Sequence, residues 1–244
     1  MSELPLINRT ILVTGAGRRI GAALARACAQ AGANVIIHFH KSDRQAVDLR
    51  DELTLTGRKI WLVQADLSTQ AGASKLIDSW AEAGILYGLV NSAAIFESLT
   101  MQDTSRTDWD RHMAMNLAAP FILSQAFAAQ VPEDATGRIV NLVDWRAMRP
   151  GADHFPYTVS KAALASLTYA SAAALAPRIT VNALALGAIL PPSDKPASPD
   201  ILKSIPAGRW GELTEVESAL VYLLSGPAYI TGEIIHVDGG RHLI

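Results

Sequence analysis

The sequence predicts an α/β domain in which one doubly wound parallel sheet of about seven strands carries helices on both faces. Three observations support this. Apolar, β-branched runs alternate with amphipathic, alanine-rich ones along the chain. A glycine-rich stretch separates the first strand-like run from the first helix-like run. The chain has 244 residues, 50% of them hydrophobic and 18% charged, which is enough to build a sizeable core and argues against disorder.

The elements follow in order. Thr10–Thr14 reads as a strand, Gly21–Ala31 as a helix capped by Gly32, and Ala33–His38 as the second strand. Arg44–Leu55 is a charged helix ending near Gly57. Lys59–Gln64 is a strand, Thr69–Ala83 a helix and Leu86–Asn91 a strand. Asp108–Gln130 is a long helix, Arg138–Val143 a strand, and Tyr157–Leu175 a second long helix stopped by Pro177. Ile179–Leu184, the helix Glu215–Leu224 and the strand Glu233–Val237 complete the set. With no linker and no repeat, residues 1–244 read as one domain. Leu190–Pro206 breaks the alternation with Pro191, Pro192, Pro196, Pro199 and Pro206, so a substrate lid is expected around residues 188–207.

Charge and cysteine content exclude several classes. The chain carries 21 basic and 23 acidic residues with no block of five like charges, so a nucleic-acid partner is not expected. Cys28 stands alone, which excludes an internal disulfide or a cysteine zinc site, and the six histidines are scattered, so no metal is expected. Cys28 itself reads as a small hydrophobe. Met1–Thr10 has no secretory pattern, and the apolar run Ala183–Pro192 is too short to span a bilayer. A soluble, cytoplasmic protein without a membrane partner is the expectation.

The chemistry concentrates in two places. Thr14-Gly15-Ala16-Gly17-Arg18-Arg19-Ile20-Gly21 lets a backbone turn tightly against a pyrophosphate at a helix N-terminus. After the second strand, where an NAD site would carry an acid, the chain reads His38-Phe39-His40-Lys41-Ser42. An acid would repel a 2′-phosphate, whereas Lys41 and Ser42 would bind it, with His40 a further candidate and Arg18 a second cation nearby. NADP(H) is therefore the expected cofactor. Tyr157 and Lys161, four apart, lie on one helical face, where the ammonium would lower the phenol pKa and fit it for acid–base work.

With these residues in place, the chain resembles the short-chain dehydrogenase/reductase family over essentially its whole length, through the Thr14–Gly21 loop, Asp66-Leu67, Asn91-Ser92-Ala93, Asn116-Leu117, Tyr157/Lys161 and Val237-Asp238-Gly239-Gly240. The resemblance implies a Rossmann-like fold. It implies that Gly15, Gly17, Arg18, Arg19 and Ile20 hold the cofactor with Asp66 and Leu67, and that Asn91, Ala93 and Gly187 complete its site. Asp66 would meet the adenine end, Lys161 the nicotinamide ribose, and Asn116 a water-linked proton relay. It also implies a homo-oligomer, typically a tetramer.

Two departures are informative. Arg19 replaces a loop glycine, and Asp144 replaces the usual catalytic serine. A serine donates a hydrogen bond to a substrate carbonyl; an ionised aspartate only accepts. Ordinary ketone reduction is thus disfavoured. A carboxylate suits a substrate rich in N–H donors, or the orientation of Tyr157. Together the departures resemble the pteridine reductases, including bacterial dihydromonapterin- and dihydrofolate-reducing members. By that resemblance Phe96 stacks a pterin, Arg19 reaches its carbonyl edge, and Asp144 and Tyr157 complete the substrate site, with Trp145 a further candidate. Ala94 replaces a frequent serine, and Leu186-Gly187 the usual Pro-Gly.

Met148 is also placed at the pocket or in the core, His154 as an exposed loop residue, and Trp109 and Trp210 as packing residues. The reading is an NADPH-dependent pterin-ring reductase. A general carbonyl reductase, such as an oxoacyl reductase, and a non-catalytic NADP sensor are the alternatives. The tail Arg241–Ile244 is an open candidate for reaching a neighbouring subunit's site.

Overall fold

The computed structural model describes residues 4–191 and 199–244. Seven strands form one sheet, β1 (Thr10–Val13), β2 (Asn34–Phe39), β3 (Ile60–Gln64), β4 (Gly88–Asn91), β5 (Gly137–Asp144), β6 (Ile179–Leu186) and β7 (Ile234–Val237). All pairings are parallel, in the order β3-β2-β1-β4-β5-β6-β7. The order reverses between β1 and β4, so a crevice opens beyond their carboxyl ends, where an α/β sheet binds its ligands.

Period-two alternation assigns each side chain to a face. Ile11, Val13, Val35 and Ile37 pack against α1 (Arg19–Gln30), α2 (Asp43–Thr54) and α7 (Leu213–Ser225) through Leu24, Leu49 and Leu220. Leu12, Ile36, Leu89 and Ile139 face the other way, against Leu76 of α3 (Gln70–Trp80), Leu123 and Phe127 of α5 (Ala119–Gln130) and Ala172 of α6 (Phe155–Leu175). These strands are buried on both faces, which explains their near-continuous apolar runs. Among the described residues no helix is long and apolar enough to cross a membrane.

Most boundaries shift by a few residues from expectation, and two of the shifts have a clear local cause. The helix read as Asp108–Gln130 begins earlier, at α4 (Arg106–Met113), because Ser105 and Asp108 form a reciprocal capping box. It then widens into a π-turn over Ala114–Ala118 before α5. β4 begins at Gly88 rather than Leu86, because the Leu86 amide and carbonyl pair with the Gln130 side chain. Of the expected lid, Pro192 and Pro196 lie outside the described residues. The described remainder includes a short 3-10 segment, Pro199–Ser204.

Candidate active site

The glycine loop is built by exclusion of side chains. A Cβ on Gly17 would sit 2.0 Å from Ser42 Oγ, and one on Gly21 would sit 2.2 Å from the Gly15 carbonyl oxygen. Gly15 has φ +66° and lies directly against the Ala93 backbone. Thr14 Oγ1 accepts the Ser92 and Ala93 amides at 3.0 Å each, joining the ends of β1 and β4. Arg18 caps α1 with no side-chain bond, so the first-turn amides keep their anion-binding capacity. Ile20 is half-buried against the first core cluster, and the Leu67 side chain is buried in the second.

His38 was missed as a site residue in its own right. Its Nδ1 accepts the Gly15 amide at 3.1 Å, and its Nε2 lies 3.1 Å from the Ala65 carbonyl. Only a neutral ring protonated at Nε2 satisfies both contacts. Burial pushes its pKa down to about 4, with the Ala65 bond partly opposing. The only sequence signal was a histidine inside an apolar strand. Beside it, His40 Nε2 stands 3.8 Å from Asp66, and Lys41 is exposed. Asp66 is held below the usual carboxylate range, first by the Ser68 hydroxyl bond.

The reactive cluster lies at the end of β5 and the start of α6. The Tyr157 hydroxyl donates to Asp144 Oδ2 at 3.1 Å, and Asp144 Oδ1 accepts the Arg146 amide at 2.9 Å. Burial, then the Asp144 charge, pushes the Tyr157 phenol well above its ordinary pKa. This corrects the expectation of a phenol lowered by Lys161. The Lys161 ammonium lies 5.8 Å from the Tyr157 ring centre and donates to the Leu142 carbonyl at 2.6 Å. Burial pulls its own pKa down to about 8. The phenol is thus held protonated, as a proton donor must be.

Asn116, on the π-turn, spends its side chain on structure. Its Oδ1 accepts the Ile95 amide at 2.9 Å, and its Nδ2 donates to the Ile95 carbonyl and to Ser160 Oγ. Ser160 Oγ donates in turn to the Tyr157 carbonyl at 2.7 Å. The Asn91 side chain is buried and donates to Asn141 Oδ1 at 2.8 Å. Gly187 is pressed against Asp238, where a Cβ would sit 2.6 Å from the backbone.

Phe96 meets Tyr157 edge-on at 4.7 Å and stacks on His154 at 4.1 Å. His154 is therefore not an exposed loop residue: its side chain is 14% exposed, held by the Phe96 stack and by Asp153 at 2.9 Å. Met148 is exposed, while Trp109 packs on Phe155 at 6.4 Å. Cys28 is fully buried, its thiol pushed by burial up to about 12. Arg19, with φ +54°, donates to the Pro191 carbonyl at 2.7 Å and so ties the glycine loop to the start of the expected lid.

Two arginines flank the cluster: Arg146, which nothing local in the sequence marks, and Arg241 of the tail. Arg146 pairs with Asp153 at 2.9 Å and approaches Asp144 at 3.6 Å. Burial lowers the Arg146 pKa, but these acids outweigh it, and Asp153 is held down at about 2 against its own burial. Arg241 of the tail lies over the Trp145 ring at 4.3 Å, so here the tail closes on its own chain. Among the described residues no cluster of metal-ligating side chains occurs.

Comparison with known proteins sets this geometry in context. A family profile described as enoyl-(acyl carrier protein) reductase matches residues 15–242. The 3-oxoacyl-[acyl-carrier-protein] reductase FabG of Staphylococcus epidermidis is 31% identical over 244 residues, 97% of this chain and 100% of that protein. The FolM alternative dihydrofolate reductase 1 of Brucella canis, complexed with NADP, superposes with a TM-score of 0.92 at 34% identity, over 100% of this chain and 97% of that one. A short chain dehydrogenase from Burkholderia cenocepacia, in complex with NADP, gives 0.91 at 33% identity, over 97% and 99%.

Proposed function

Because the chain belongs to the short-chain dehydrogenase/reductase family, we propose that it is an NADPH-dependent reductase of a pterin-type ring. The cofactor fits the residues present. The Gly15–Gly21 cradle has no room for side chains, α1 starts without a side-chain cap, and β2 ends in His40, Lys41 and Ser42 rather than an acid. The solved relatives that carry NADP support the same assignment. When bound, the cofactor supplies hydride to an electrophilic ring carbon of a C=N bond.

The chain's own residues supply the proton and the orientation. The Tyr157 hydroxyl turns from Asp144 to the ring nitrogen and donates its proton there, and the nearby Lys161 ammonium stabilises the phenolate left behind. Asp144 holds the Tyr157 hydroxyl until the ring enters, and then accepts N–H bonds from the amino-substituted ring edge. Phe96, one face covered by His154, offers the other to the ring, where stacking contributes about 1 kcal/mol beyond area burial. Arg19 aligns the carbonyl edge.

The observation that carries this reading is the Tyr157–Asp144 hydrogen bond of 3.1 Å, a carboxylate acceptor where a ketone reductase needs a donor. The similarity to acyl-carrier-protein reductases favours a second reading, a carbonyl reductase acting on an oxoacyl substrate. Asp144→Ser separates the two when assayed with a dihydropterin and a β-ketoester. Loss on the pterin with gain on the ketone supports the pterin reading; unchanged pterin turnover refutes the role of Asp144.

A further inference from the structure

Trp145 carries two guanidinium groups, Arg146 at 4.9 Å and Arg241 at 4.3 Å from its ring centre. They differ in their counter-charges. Arg146 is neutralised by Asp153 and Asp144. Arg241 has no ion-pair partner within 4.0 Å among the described residues, and its Nε is buried without a hydrogen-bond acceptor. Asp238, the acid nearest to it in sequence, is already committed, with Oδ1 to the Gly240 amide and Oδ2 to the His242 amide and ring. Burial, and then the like charge of Arg146, lowers the Arg241 pKa against the more distant pull of Asp144, Asp153 and Asp238.

Arg241 is thus a cation stacked on an indole beside a second cation; Asp144, Asp153 and Asp238 attract it through space, but no described acid is in ion-pair contact with it. Resting on the pterin reading above, we propose that Arg241 binds a carboxylate on the substrate's side chain, so that the enzyme prefers pterins with an acidic tail over those with a neutral one. Trp145 holds the guanidinium in place, and its planar fork suits bidentate pairing with a carboxylate.

The test compares dihydrofolate with its dimethyl ester, which keeps the skeleton and removes the charge, in wild type and in Arg241→Gln and Arg241→Lys. The expected result is a KM for dihydrofolate raised at least about tenfold in Arg241→Gln, with kcat and the KM for the ester within about twofold. Arg241→Lys should recover part of the loss. Equal effects on acid and ester, or no effect on either, overturn the proposal while leaving the pterin reading standing. Failure of the wild type to reduce any dihydropterin overturns both. Should Arg241→Gln not fold, the wild type still decides. Added salt must raise the KM for dihydrofolate more than that for the ester; parallel salt dependence refutes the proposal.

Discussion

Between the Tyr157 hydroxyl and Asp144 lies a single donated proton, and the surroundings keep it on the phenol. Burial and the neighbouring carboxylate both disfavour a phenolate, so Tyr157 is held protonated, the state that the proposed donor role requires. Tyr157→Phe should lower kcat by about two to four orders of magnitude while NADPH binding, measured by fluorescence titration, stays nearly unchanged. Wild-type turnover in that variant would exclude Tyr157 as the donor. His38 works by the opposite protonation logic. Its pKa falls from the ordinary 6.5 to about 4 on folding, so the unfolded chain binds the proton more readily. Its contribution is complete above about pH 6.5 and is lost as pH falls toward 4, in total about 3 kcal/mol. Denaturant titrations between about pH 7 and 5 should show wild type losing about 2 kcal/mol on this account, and His38→Gln lacking that loss. An identical acid dependence in the two proteins refutes the neutral-histidine bridge. Tyr157, Lys161 and Asp144 were legible because their spacing is local. The direction of the Tyr157 pKa shift was not, because it depends on burial and on where the Lys161 ammonium bonds.

At the scale of elements, the β1–α1 turn is set by distances that admit no side chain. A methyl on Gly21 meets the Gly15 carbonyl at 2.2 Å, and backbone cannot step aside as a side chain can. Gly21→Ala should cost about 1–3 kcal/mol of stability and weaken NADPH binding at least about tenfold, read from thermal unfolding and fluorescence titration. Wild-type affinity would show that the loop tolerates a shift. The strand–helix order was readable from periodicity and from the cap at Gly32, whereas the Ser105 cap was not read. The π-turn that carries Asn116 was not, because one added residue in a helical turn leaves the apolar spacing of Asp108–Gln130 almost unchanged.

For the whole molecule, the described strands form one sheet, so the substrate site must be assembled from loops at its carboxyl edge. Outer residues of the long helices remain uncovered, with Phe121 of α5 48% exposed and Tyr169 of α6 50% exposed. A homo-oligomer that covers them is expected. Light scattering should give a multiple of the 26.0 kDa chain mass, reduced by Phe121→Asp with Tyr169→Asp. A wild-type monomer at micromolar concentration would reject this. The sequence by itself determined the doubly wound sheet, the phosphate cradle, the absence of an acid after β2, and the Asp144/Tyr157/Lys161 set, because each is written in spacings of a few residues. Tertiary structure alone decided that His38 bridges Gly15 and Ala65, that His154 covers Phe96, that Arg19 ties down Pro191, and that Arg241 closes over Trp145. Those contacts join residues up to 172 positions apart, and whether a charge there is paired or left open depends on burial and distance in the folded chain.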